Sequence, residues 1–165
     1  MLNVKWKIDD GDLQELIKRY PEVSREVRAS KLEEAGLFLQ RQIQKRTPEG
    51  VSYPVHLRSS IGFVGVKYGE KITIGTPINY AEAVEYGSKP HFPPWLDSLK
   101  VWVERKLGVD SSKSASVAFL IARKISKEGT KGAHMFEEGF KMSEPIIKKM
   151  LNEIPNEITR RIDKA

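Results

Sequence analysis

Ile78–Pro94, INYAEAVEYGSKPHFPP, is the stretch whose reading decides how the rest of the chain is arranged. Tyr80, Ala83 and Val84 recur at helical spacing, which predicts a short helix with one aromatic and apolar face and with Glu82 and Glu85 pointing elsewhere. Gly87 is a helix stop, since a residue without Cβ enters the left-handed conformation freely. Pro90, Pro93 and Pro94 then forbid helix and stiffen the connection into an elbow. Ser60–Thr76, SIGFVGVKYGEKITIGT, reads on one side as two strands and a tight turn. Trp95–Gly108, WLDSLKVWVERKLG, reads on the other as a helix, so the stretch is a hub between a hairpin and a helical half.

Working outward, Leu57, Ser59, Ile61, Phe63 and Gly65 share a face at period two, and so do Ile72, Ile74 and Thr76. This predicts strands over 57–66 and 71–76 joined at Tyr68, Gly69 and Glu70. Upstream, Leu2, Val4, Trp6 and Ile8 alternate with polar residues and predict a strand over 2–8, followed by a helix from Asp12 that ends at Pro21. A long helix begins there, with Pro21 in the first turn where the missing N–H costs nothing, and carries Val27, Leu32, Ala35, Leu39 and Ile43 on one stripe. It is expected to pack across the sheet and to end at Arg46–Gly50, RTPEG.

Downstream of the elbow, Trp95 or Leu96, Leu99, Trp102 or Val103, and Leu107 mark a helix closed by Gly108. Val117, Ala118, Ile121, Ala122 and Ile125 mark a second, with Ser112 or Ser114 as cap and Gly129 as stop. Phe136, Phe140, Ile147, Met150 or Leu151, Ile154, Ile158 and Ile162 form a stripe along the tail, which Pro145 and Pro155 should break or kink. The expected fold is one α+β domain over 1–165: a small antiparallel β-sheet packed by a long helix, with three further helices after the hub.

At 165 residues, 39% apolar and 30% charged, the chain is long enough to bury a core without staples. The absence of cysteine excludes disulfides, thiolate zinc sites and a cysteine nucleophile. No apolar run approaches the roughly 20 residues of a membrane span, and the first residues lack a signal core, so a cytoplasmic protein is expected. A net charge of +6 and a pI near 9.4 permit contact with nucleic acid, though the basic residues are dispersed among acids.

Chemistry is sparse. His56, His91 and His134 lie in three separate connections without metal-ligand spacing. Glu82 and Glu85 stand at i and i+3 with no local nucleophile and read as a solvated face. No serine sits in a GxSxG elbow, and no glycine loop has phosphate-cradling spacing. No catalytic, cofactor or metal residue is expected.

A helix ending in a threonine-proline turn (Thr47, Pro48, Gly50), LRSSI (Leu57–Ile61, including Ser60), a hairpin, YAEAVEYGS (Tyr80–Ser88, including Glu85 and Gly87) and HMFEEGF (His134–Phe140) occur in that order. In this the chain resembles the tail-completion, or neck, family of tailed bacteriophages. It departs from that pattern in VSYPVH (Val51–His56), where a shorter glycine connection is usual, and in a helical insertion over 89–131. The insertion is similar to that of longer members, which carry a KPHxPP elbow, a WVxRKLG helix and a KxGT turn, here Lys89–Pro94, Trp102–Gly108 and Lys127–Thr130.

The resemblance implies a non-enzymatic virion assembly protein, made in the host bacterial cytoplasm and acting at the head–tail junction of a phage or prophage. It implies a homo-oligomeric ring, no cofactor, and the connector and a tail terminator or tail tube protein as partners. Trp95, Trp102, Phe136, Phe140 and Ile158 are the candidate subunit contacts, because a ring needs apolar surface beyond that used in each core. Lys67, Lys71, Arg123 and Lys124 are the candidates for facing DNA without reading its sequence. Two other classes stay open: a basic nucleic-acid-binding domain, and a small hydrolase or metal enzyme built on Glu82, Glu85 and the histidines.

Overall fold

The computed structural model describes residues 11–49, 56–94 and 96–164. In chain order the elements are α1 (Gly11–Arg19), α2 (Pro21–Arg46), α3 (Leu57–Ser60), β1 (Gly62–Lys67), β2 (Lys71–Gly75), α4 (Ala81–Tyr86), β3 (Gly87–Ser88), α5 (Leu96–Leu107), α6 (Ser111–Glu128), β4 (Thr130–Lys131), α7 (Met135–Asn152) and α8 (Ile154–Ile162). The architecture is the α+β one expected: a small antiparallel sheet, a long helix against it, and helices at the C-terminus. The strand expected over 2–8 lies outside the described residues.

The chain gathers into two compact units, each built from noncontiguous segments. Unit one takes the residues up to Lys45, Ile61–Thr76 and Phe136 onward; unit two takes Arg46–Ser60 and Pro77–Met135.

In unit one, β1 and β2 pair antiparallel from Gly62↔Gly75 to Lys67↔Lys71, with an irregularity between Phe63 and Gly65. Gly69 turns the corner at φ 71°, a conformation that strains any residue with a Cβ. The hairpin lies close on α2, where a Cβ at Gly36 would come within 3.1 Å of the Phe63 ring and 3.2 Å of Ile72. The α2 stripe is as expected: Val27, Ala35 and Ile43 are buried, and Leu32 and Leu39 are half-buried. Val27 and Ala35 join Leu13 of α1, Ile147 and Leu151 of α7, and Ile154 and Ile158 of α8 in one core. The Ser24 hydroxyl donates to the Leu16 carbonyl at 3.1 Å, holding the α1–α2 corner that Pro21 opens.

Three expectations are corrected here. Residues 57–60 form a helical turn and not the start of a strand. The Ser59 hydroxyl donates to the His56 carbonyl at 2.9 Å and the Ser60 hydroxyl to the Leu57 carbonyl at 2.8 Å, and this local bonding competes with extension. Of the break or kink expected at Pro145, the break does not occur, since α7 runs through it on an exposed side, whereas Pro155 does sit in the first turn of the new helix α8. Four helices therefore follow the elbow among the described residues, not three.

In unit two, Leu99 and Val103 of α5 pack against Ala118 and Ala122 of α6, with Trp102, Val117 and Ile121 half-buried around them. The small alanines let the two helix backbones approach. The Ser114 hydroxyl donates to Glu104 Oε1 at 2.7 Å across this pair. The cap of α6 is Asp110, whose Oδ1 accepts from the Ser112 amide at 2.9 Å, so Ser112 is a donor in the cap and not the cap itself. The Ser112 hydroxyl, which donates to the same oxygen at 2.6 Å, and then the Ser112 amide hold the Asp110 carboxyl below its ordinary pKa, since ionisation strengthens the acceptor. Gly108 and Gly129 stop α5 and α6 at positive φ.

Candidate functional site

Two of the segments that carry the resemblance, the threonine-proline turn with α3 and the Tyr80–Ser88 stretch, lie in unit two, and each forms a structural joint there. At the first joint Thr47 follows the last turn of α2, where main-chain carbonyls lack helical partners. Thr47 is only 1% exposed. Arg58 in α3 fills the gap, donating from Nε at 3.1 Å and from Nη2 at 2.7 Å to the Thr47 carbonyl. Its Nη1 donates to Glu49 Oε1, and Lys106 of α5 donates to Glu49 Oε2 at 3.0 Å. The Lys106 hydrogen bond and the Arg58 charge hold the Glu49 carboxyl below its ordinary range. Leu57 is buried beside this clamp, while Pro48 is exposed and Ser60 half-buried.

The second joint ties α4 to the far end of the insertion. Gly87 ends α4 at φ 82° and pairs with Lys131, and Ser88 pairs with Thr130, so β3 and β4 form a two-residue ladder. A Cβ at Gly87 would overlap the Thr130 carbonyl oxygen, and one at Gly129 would overlap that of Ser88; both are backbone atoms and cannot swing away. Ser88 N donates to Thr130 Oγ1 at 3.0 Å, and the two hydroxyls lie 2.9 Å apart. Beyond the ladder, the Ala133 amide donates to the Val84 carbonyl at 2.8 Å and the His134 amide to the Glu85 carbonyl at 3.0 Å. The α5–α6 excursion thus leaves and returns at a ladder of two residue pairs.

The face assignment of α4 needs correction. Ala81 and Glu85 are the buried residues; Tyr80 is 40% exposed, Ala83 is exposed and Val84 is half-buried. Glu85, expected on a solvated face, is 4% exposed. A carboxylate oxygen of Glu85 lies within 4.8 Å of a ring nitrogen of His134, a residue held at φ 47°. Glu82 is exposed, so the two glutamates do not share a site. His56 and His91 are exposed, and His91 Nδ1 is 2.9 Å from the Lys89 carbonyl. Of the residues of the hydrolase reading, the fold brings Glu85 and His134 together and leaves Glu82, His56 and His91 exposed elsewhere.

The remaining candidates divide. Trp95 lies outside the described residues. Trp102, Phe136 and Phe140 are half-buried, each with part of its surface left over. Ile158 is fully buried in the core of unit one, so it is corrected as a subunit contact: its own fold consumes it. Lys67 and Lys71 are exposed in unit one, with Lys67 paired to Glu70. Arg123 and Lys124 are exposed in unit two, with Lys124 Nζ 3.9 Å from Glu128. Unit one also holds an apolar cleft of about 160 Å³ between α2 and the hairpin, lined by Leu32, Phe63, Val66, Tyr68 and Ile72 with Glu33 and Lys67 beside them. It brings together no catalytic set.

Sequence reasoning missed Arg58. Its place between Leu57 and Ser59 gave no periodic signal, and only the fold shows that it turns back onto Thr47. No helix among the described residues is long and apolar enough to cross a membrane. Comparison with protein-family models, with curated proteins and with solved structures finds no match.

Proposed function

We propose that the chain is a structural virion protein of a tailed phage or prophage, working in head–tail joining or tail completion as a homo-oligomeric ring, and not an enzyme. The observation that carries this reading is the use to which the motif residues are put. Thr47, Leu57, Glu85 and Gly87 are buried or locked backbone joints, a pattern expected when a motif preserves a scaffold instead of a reaction.

Ring formation uses head-to-tail contacts in which one patch docks on a different patch of the next copy. Trp102, Phe136 and Phe140 keep surface for such contacts. The hairpin adds Val64, Val66 and Tyr68, all exposed. The connector above and a tail terminator or tail tube protein below are the proposed neighbours, with Lys67, Lys71, Arg123 and Lys124 available to phosphates of the passing DNA. The proposed place is the head–tail junction of the virion, after synthesis in the host cytoplasm.

Negative-stain microscopy of the purified protein, alone and mixed with isolated connector rings, tests this reading. Closed rings, or added density on one end of the connector, support it. Free monomers that leave the connector bare refute it. A second reading, a basic nucleic-acid-binding domain, is favoured by the charge carried on α6.

A further inference from the structure

The solvent side of α6 combines large apolar side chains with cations. Phe119 is 52% and Leu120 60% exposed; Phe92 of the elbow is 49% exposed, with its ring centroid 6.4 Å from that of Phe119. The opposite side of α6 is the one that packs on α5, through Ala118 and Ala122. At about 100° per residue, Arg123 and Lys127 fall on the same arc as Phe119 and Leu120, with Lys124 at its border. Glu128 is the only acid in the helix, and it stands beside Lys124.

Two kinds of partner bury exposed aromatic rings. Protein interfaces deplete lysine at their centres. Nucleic-acid surfaces are instead strongly cationic, and those for single strands pair a cationic track with rings on which unstacked bases lie. The α6 face fits the second description, since its rings are flanked by Arg123, Lys124 and Lys127 against the single acid Glu128.

We propose that this face, with Phe92, binds single-stranded nucleic acid without sequence preference. Arg123, Lys124 and Lys127 meet phosphates, and Phe119 and Phe92 offer their rings to bases. Duplex DNA, whose bases are already stacked, would gain from the cations alone. The proposal stands on unit two by itself and does not rest on ring formation.

The test is fluorescence anisotropy of the full chain with a labelled oligothymidylate and with a duplex of equal length, over a salt series. The single strand is expected to bind several-fold more tightly. Phe119→Ala, an exposed site whose loss should leave the melting curve unchanged, is expected to weaken the single strand by roughly tenfold and leave the duplex unaffected. The double change Arg123→Gln, Lys127→Gln is expected to weaken both and to reduce the single-strand salt slope by about 1.4. Absence of binding at low salt overturns the proposal. Equal affinity for both probes with Phe119→Ala inert overturns it in favour of generic cationic attraction. An effect of Phe119→Ala on self-association alone overturns it in favour of a protein contact.

Discussion

Replacing Arg58 tests whether the threonine-proline turn is held by a clamp. In Arg58→Ala the Thr47 carbonyl loses both of its guanidinium donors, and Thr47 is almost fully buried. A hydrogen bond to a charged group contributes about 1.5–3 kcal/mol, and an orphaned buried acceptor costs about 1–3 kcal/mol. These describe the same loss from two sides and are not summed. The Arg58 side chain is 38% exposed, so water replaces part of the contact. The expected destabilisation is therefore in the lower part of the range, about 1.5–2 kcal/mol, or a fall in Tm of roughly 3–8 °C for a chain of this size. Arg58→Lys should recover only part of this, because one ammonium does not reproduce the fork. Urea unfolding followed by circular dichroism gives the numbers, with the slope expected to stay constant. A loss under about 0.5 kcal/mol in Arg58→Ala would refute the clamp. Full recovery in Arg58→Lys would show that charge and not geometry is what Thr47 and Glu49 require.

Further outcomes follow from the same joints. Gly129→Ala should cost more than the roughly 1–2 kcal/mol of left-handed strain alone, because its Cβ also meets a backbone carbonyl; hydrogen exchange at Ala133 and His134 should rise with it. Glu85→Ala should destabilise by about 1–3 kcal/mol while Glu82→Ala stays within about 0.5 kcal/mol, a contrast that a thermal melt reads directly. The Glu49 carboxyl has its pKa lowered in the fold, so its contribution is present above the unfolded value and is lost as pH falls through the folded one. Glu49→Gln should accordingly flatten the acid limb of Tm against pH below the ordinary value of 4.5.

Much of unit one was legible because its signals are long or chemically specific. α2 announces itself by a proline in its first turn and a five-residue stripe, and the hairpin by a glycine at the corner between two alternating runs. Residues 57–60 misled because two alternations over four residues do not separate strand from turn, and the serine hydroxyls decided the matter locally. The face of α4 misled for a related reason: in six residues two helical faces fit equally well, and the buried one contains a glutamate. Asp110 was passed over as a cap because three serines follow it closely. The β3–β4 ladder joins residues 42 positions apart, and nothing local in GS or TK specifies that pairing. Arg58 became visible only with the turn that aims it.

The central claim is assembly into a ring, and the measurement that tests it most directly is the solution mass of the purified protein by light scattering over a concentration series. The account predicts a species at a fixed multiple of the 18.8 kDa chain that grows with concentration and loses population when Trp102 or Phe140 is replaced by a charged residue. A strict monomer at every concentration, which also fails to form that species when mixed with connector rings, would contradict it.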